Sequence, residues 1–406
     1  LKDTEQKKDT PLLVTRKKMR FDTYLTILNA IRNDLTTKRT IHDTTRISWA
    51  SCSDIINDLS RFGIIMEDND PDRQLYRPGP KTTIYKFTDT DHLILGLEIT
   101  PTSINSTIID LGKRILFKKA YILQEELTNI NLYRLVRNIF YQVLEDADKS
   151  EESITTLVFA LTGALDRDNL IWITSPKVHS VRSVDFHFFQ QSLPFIKQVF
   201  IEHDITARAN SIIRTDNSHP KNFAFLHISD GVGMAVMNNG VYIKGERGLA
   251  GEIGHIPILG YTKISGLPCY CGKQQCLESF LSSKAILHHI STTYDIDLDD
   301  LGEMHKRLSE EQSEEVRQLV FELLMNTTIT IENIFDLHTL YIGGWVVEQW
   351  HAQLQQTFKH NVQEGSWLGG PKDIVFYDEE TTNPSYGAAI SVIHTVMHRI
   401  LMEVLT

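Results

Sequence analysis

The chain has 406 residues, 41% of them hydrophobic, four cysteines and a formal net charge of −11. This composition supports two or three domains with sizeable cores, and the lack of an apolar run of about 18 residues excludes a membrane span. The opening LKDTEQKKDTPLLVTRKK has no hydrophobic signal core, and three of the four cysteines cluster, so a metal site in a reducing cytoplasm is expected rather than an exported disulfide framework.

Charge divides the chain. Residues 1–88 carry 16 Lys+Arg against 12 Asp+Glu, while the remaining 318 carry 25 against 40. A mildly basic head on an acidic body confines any polyanionic partner to the head. Residues 1–20 read as a flexible basic arm, with Arg16, Lys17, Lys18 and Arg20 close together. Helical spacing runs from Phe21 to Asn33, placing Phe21, Leu25, Leu28 and Ile31 on one face. A short segment follows at Thr40–Thr45. A further helix from Ser48 to Phe62 turns Ile55, Ile56, Leu59 and Phe62 inward and is closed by Gly63. Ile64–Met66 and Thr83–Phe87 read as short strands joined by a polar loop. Residues 21–88 thus have the pattern of a winged helix-turn-helix, or of a helical cap with no DNA role. On the first reading Ser51, Ser53 and Asn57 would meet base edges, and Arg46, Arg77 and Lys81 would anchor phosphates. Asp54 and Asp58 on the same outward face would repel phosphates. A head of such modest charge would bind DNA firmly only as a dimer or tetramer.

Residues 89–406 alternate strands and helices, which implies α/β architecture. Strands are expected at HLILGLEIT, SINSTIIDL, Ile115–Leu123, Thr156–Leu161 and Val199–Glu202. Helices are expected at Leu132–Ala147, Phe188–Phe195 and Ile205–Ile213. A glycine-rich hairpin, FAFLHISDGVGMAVMNNGVYIKG, then restarts the β pattern. Helices at Leu281–Thr293 and Gln312–Phe335, a strand at Leu340–Ile342 and a closing helix over Tyr386–Val404 complete the chain. Two β-rich starts, near residues 92 and 223, suggest a duplicated core.

One stretch specifies its chemistry. Between Gly251 and Glu278 lie a GEIGH pentapeptide and CYCGKQQCLE. His255, Cys269, Cys271 and Cys276 make a complete ligand set for tetrahedral Zn²⁺, and four protein ligands leave no open position, so the metal would be structural. Glu252 and Glu278 flank it. Cys52 stands apart, as a small packing residue.

Together these features resemble the ROK family of repressors and sugar kinases, whose CxCGxxGCxE motif follows GEIGH. Here Gln275 replaces the second glycine. The resemblance implies an actin/hexokinase-like body of two α/β lobes around a sugar cleft. It places sugar contacts on Gly163, His203, Asp204, Glu252, His255 and Glu278. Asp204 also suits an N-cap, and His203 alone fits a packed core histidine equally well. Lys177 stands where kinases of the family carry a sugar-binding Asn. Both phosphate loops of the kinases are altered: DxGGT is replaced by Glu98-Ile99-Thr100-Pro101-Thr102, and GTGxGxG by Ser229-Asp230-Gly231-Val232-Gly233-Met234-Ala235. Backbone amides that cradle phosphates need glycines where side chains would intrude. The resemblance therefore implies a cytoplasmic, sugar-responsive regulator binding operator DNA, with a sugar kinase carrying a vestigial head, or a cleft that holds a protein partner, as alternatives.

Overall fold

The computed structural model describes residues 11–69, 83–178, 180–212, 220–367, 369–378 and 381–405. The head comprises α1 (Pro11–Arg32), α2 (Lys38–Thr45), α3 (Trp49–Arg61), β1 (Ile65–Asn69) and β2 (Thr83–Phe87). α1 begins at Pro11, not Phe21, so the second half of the expected arm is helical; proline suits a first helical turn, where no N–H partner is needed. The arm's first ten residues, and the wing residues Arg77 and Lys81, lie outside the described residues. Thr37 and Thr40 form a capping box before α2, and the Ser48 hydroxyl accepts the Ser51 N–H at 3.2 Å to start α3. Gly63, at φ +67°, takes the left-handed turn that ends α3. Cys52 is buried among Tyr24, Ile27, Ile41 and Ile56, as a packing residue.

The first lobe follows with β3 (Leu93–Ile99), β4 (Ser103–Ile109), β5 (Ile115–Ile122), α4 (Leu132–Ala147), β6 (Ile154–Leu161), β7 (Ala164–Asp166), β8 (Ile171–Thr174), β9 (Arg182–Asp185), α5 (His187–Ser192), β10 (Gln198–His203) and α6 (Asp204–Ile212). The second holds β11 (Phe223–Ile228), β12 (Val232–Asn238), β13 (Val241–Tyr242), α7 (Glu278–Leu281), α8 (Ser283–Tyr294), α9 (Met304–Arg307), α10 (Glu310–Phe335), β14 (Thr339–Gly344), α11 (Trp345–Gln353), α12 (Lys359–Gly365) and β15 (Asp373–Tyr377). Their sheets run β10-β6-β3-β4-β5 and β13-β12-β11-β14-β15. In each, an antiparallel three-strand meander supplies the first strands, and two parallel strands return beside its first member. The two lobes therefore share one topology, and the duplicated core expected from the two β-rich starts is present. β7, β8 and β9 add a small sheet that hydropathy did not anticipate.

Two helices close the chain, α13 (Pro384–Ser391) and α14 (Ile393–Leu405), where one was expected. Pro384–Leu405 is also long and apolar enough, by composition alone, to cross a membrane. Its apolar residues have another use. Tyr386, Ala388, Ala389, Val396, Met397 and Ile400 belong to one buried core with Tyr24, Ile27 and Leu28 of α1 and with Ile94 and Val158 of the first sheet. The Phe21 ring stands edge-on to His398 at 4.7 Å. Head and first lobe are thus a single hydrophobic unit.

α13 lies on β3, β4 and β6 and crosses α6. The crossing is too close for side chains: a Cβ on Gly387 would sit 1.7 Å from the Ala207 carbonyl oxygen, and one on Gly96 1.8 Å from that of Ser385. Beside it the Thr107 and Ser385 hydroxyls share a buried hydrogen bond of 2.7 Å. Gly387→Ala is therefore expected to cost about 3 kcal/mol through forced separation of the helices, read as a lower urea midpoint with an unchanged slope.

Candidate functional site

The four metal-type ligands come together as the motif predicts. The donor atoms of His255, Cys269, Cys271 and Cys276 all lie within 4.8 Å of one another. Cys269 Sγ is 3.4 Å from His255 Nδ1, and Cys271 Sγ is 3.7 Å from Cys276 Sγ. A tetrahedral ion with zinc's bond lengths sets such pairs about 3.5 and 3.8 Å apart, so the residues fit a metal ion. Burial pushes the Cys269 thiol up to about 12, a penalty that a bound cation offsets by taking the thiolate. Gln275 occupies φ +64°, the left-handed conformation that explains the glycine usual at this motif position. The loop keeps the turn without the residue best suited to it.

Two residues beyond Cys276, the chain enters α7 at Glu278, which is 6% exposed. Its Oε2 accepts the Val232 N–H at 3.1 Å, and its Oε1 lies 4.0 Å from Cys269 Sγ. Burial raises its pKa, while His255 and Lys177 oppose the shift. Gly163, His203, Asp204, Glu252 and Glu278 all line one cleft at the carboxyl ends of β6 and β10 and the β11–β12 turn. Parallel α/β sheets place their ligand crevices at such strand ends. His255 borders an adjoining pocket; its Nδ1 faces Cys269, and its Nε2 faces Glu252 at 3.8 Å.

Asp204 heads α6 directly after β10. Its Oδ1 accepts the Ile205 N–H at 2.9 Å, and its Oδ2 accepts the Thr162 hydroxyl at 3.3 Å. Helix-start and cleft positions coincide in this residue. His203 is 8% exposed, and its Nε2 has no protein partner. Burial, then the Arg167 charge, depress it to about 4, against Asp204 and a hydrogen bond to the Gly248 carbonyl. The ring is therefore neutral near pH 7 and leaves Nε2 for a ligand. Glu252 is raised by burial and by Asp204. Sequence reasoning missed Arg167, ion-paired with half-buried Glu202. It also missed Tyr270, which lines the cleft. Its place between two cysteines was the only signal available.

The regions matching kinase phosphate loops are closed on themselves. In the β3–β4 turn, the Thr100 hydroxyl accepts the Ser103 N–H at 2.9 Å and the Thr102 N–H at 3.4 Å. Glu98 is buried, accepting from Asn105 at 2.7 Å and facing Arg208 at 3.5 Å. In the β11–β12 turn, Asp230 accepts the Ser283 hydroxyl at 2.7 Å and meets Lys284 at 3.7 Å. A Cβ on Gly231 would lie 2.9 Å from Glu278 Oε2.

On the head, Arg46, Ser51 and Asn57 are exposed and Ser53 is partly so. The Ser48 hydroxyl also donates to Ser51 Oγ at 2.9 Å. Asp58, expected to repel phosphates, is turned away: Tyr24 donates its hydroxyl to one oxygen, and Arg61 meets the other at 2.9 Å. Trp49, 53% exposed beside His42, stands at the start of α3 and was not among the expected contacts.

Paired lobes of one topology around a carboxylate-lined cleft, with a helix-turn-helix head, define a hexokinase-like α/β body carrying a DNA-binding type of domain. The ROK family model matches residues 94–394, and the chain belongs to that family. It is 22% identical over 270 residues to the xylose repressor of Bacillus spizizenii, covering 66% of this chain and 67% of that protein. It is 25% identical over 248 residues to the N-acetylmannosamine kinase of Vibrio cholerae, covering 59% and 83%. The fold is similar to that of a ROK transcriptional regulator homologous to the E. coli MLC protein, with TM-score 0.73, 19% identity, and 95% and 99% of the chains covered. The ROK hexokinase of Thermus thermophilus matches the body, at TM-score 0.59 and 20% identity over 74% of this chain and 97% of that one.

Metal analysis of the purified protein is expected to find one bound ion per chain, and Cys276→Ser to lose it with a lower melting temperature. The His203 shift gives a second expectation. The unfolded imidazole protonates near 6.5 and the folded one near 4, so its contribution to stability is lost as pH falls between those values, by at most about 1.4 kcal/mol per unit. Glu202, Glu252 and Glu278, raised by burial, gain stability over the same fall. The comparison is therefore between proteins: His203→Gln should flatten the acid-side loss in urea melts relative to wild type.

Proposed function

We propose that this chain is a sugar-responsive, DNA-binding repressor rather than a kinase. The observation that carries this is the closure of both phosphate-binding turns. Thr102 and Ser103 spend their amides on the Thr100 hydroxyl, and Val232 spends its amide on Glu278. Asp230 adds a carboxylate where phosphate charge would lie. Phosphoryl transfer depends on amides and cations aimed outward at the phosphates, and here those groups have internal partners. The sugar-facing set is kept: Asp204, Glu252, His255 and Glu278 can form charge-assisted or neutral hydrogen bonds with vicinal hydroxyls, with Gly163 and His203 completing the wall.

Zinc is the metal that three thiolates and one imidazole favour, and with four ligands it would pin the loop carrying Glu252 and Glu278 without an open position for water. The body would act as the sensor and the head would bind operator DNA. Arg46, Arg77 and Lys81 would lie on phosphates, and Ser51, Ser53 and Asn57 toward base edges. A homodimer or homotetramer in the cytoplasm suits the modest head charge, because affinity scales with phosphates neutralised. The similarities to the xylose repressor and to a ROK regulator support this reading; the kinase relatives make the alternative concrete.

Two assays separate them. With hexoses, pentoses and amino sugars, a coupled assay is expected to show no ADP release above background, and turnover would establish the kinase. On DNA from upstream of its own gene, fluorescence anisotropy is expected to change with one of these sugars. Asp204→Asn or Glu278→Gln should weaken that sugar's binding by about 10–100-fold while leaving sugar-free DNA affinity in place.

A further inference from the structure

We propose that the cleft takes a two-ring glycoside, with the second sugar unit seated on Tyr270 and Arg182 in an outer pocket. The proposal rests on the sugar-cleft reading above and specifies the size of the ligand. The inner cleft and a second pocket adjoin, with Gly163, Pro176, Glu252 and Tyr270 lining both. Counting their solvent-open parts, they enclose about 930 and 880 Å³. A single pyranose bound on Asp204 and Glu278 would leave the outer space to water.

The outer wall has the chemistry of a carbohydrate subsite. Tyr270 is 50% exposed although its neighbours in sequence, Cys269 and Cys271, belong to the clasp that fixes the loop. Its ring stands at 79° to His255, with centroids 5.5 Å apart. A large aromatic ring on a pinned backbone offers a flat apolar face at little entropic cost, which suits the C–H face of a pyranose. In the same pocket lining, exposed Arg182 on β9 has its backbone clamped by Asn129, through bonds of 2.9 and 2.7 Å. No ion pair engages its guanidinium among the described residues. That fork can donate to two vicinal hydroxyls at once. Glu252, shared by both pockets, would stand near the glycosidic link.

The test is calorimetric titration of the metal-loaded full chain with glucose, xylose and N-acetylglucosamine, and with maltose, cellobiose, xylobiose and chitobiose. At least one disaccharide is expected to bind about tenfold or more tightly than its own monosaccharide. Arg182→Ala, which touches only the outer pocket, should erase most of that advantage and leave monosaccharide affinity unchanged. Tyr270→Ala should also lose the disaccharide advantage, and Tyr270→Phe should keep it because the ring face remains. Metal content is measured on each variant; if Tyr270→Ala loses the ion, Arg182→Ala decides alone. Disaccharides binding no better than their monosaccharides, or Arg182→Ala weakening both alike, overturns the proposal while leaving the sugar-cleft reading intact. Failure of every sugar of either size to bind overturns that reading itself.

Discussion

Glu278 is where the constraints on this molecule meet. It opens α7 two residues after a clasp cysteine, holds the Val232 amide, and projects into the cleft from a nearly buried position. A carboxylate taken from water is tolerable only when its oxygens have partners. The clasp, the β11–β12 turn and the cleft are therefore mutually dependent. Moving the cysteine loop would withdraw a hydrogen-bond acceptor from β12 and a carboxylate from the cleft lining together. A Cβ on Gly231 would stand 2.9 Å from Glu278 Oε2, so a side chain there would press on the carboxylate that holds the Val232 amide.

Much of this was legible in the sequence wherever a residue type has few alternative uses. Three cysteines and a histidine at metal spacing have one economical explanation, and their donor atoms do converge. The two β-rich starts foretold the repeated sheet order because strand periodicity survives in buried meanders. Other parts were hidden for physical reasons. Strands of three or four residues, such as β7, β8 and β9, are too short to display alternation. The break between α13 and α14 has no proline or glycine to mark it, and the start of α1 at Pro11 has no apolar stripe before Phe21. Arg167 and Glu202 lie far apart in sequence, and only the packing of β7 against β10 joins them.

The head shows how far outward-looking residues can mislead. Helical spacing placed Asp58 beside Asn57 on an exposed face, yet Tyr24 and Arg61 hold it inward. Its charge is internally matched, so the electrostatic objection to α3 as a DNA-facing helix falls mainly on Asp54. Trp49 and Arg46 flank the turn instead, where an aromatic and a guanidinium can reach a groove edge or a phosphate.

The shared core of head and first lobe has a mechanical meaning. Residues of α1 pack with α13 and α14, and α13 is pressed so tightly on α6 that no Cβ fits between them. α6 begins at Asp204, at the floor of the cleft. The head is thus no bead on a string but part of one packed body that reaches to the cleft. Parting α1 from the first lobe would expose that shared core, so head and lobe are coupled in stability as well as in position.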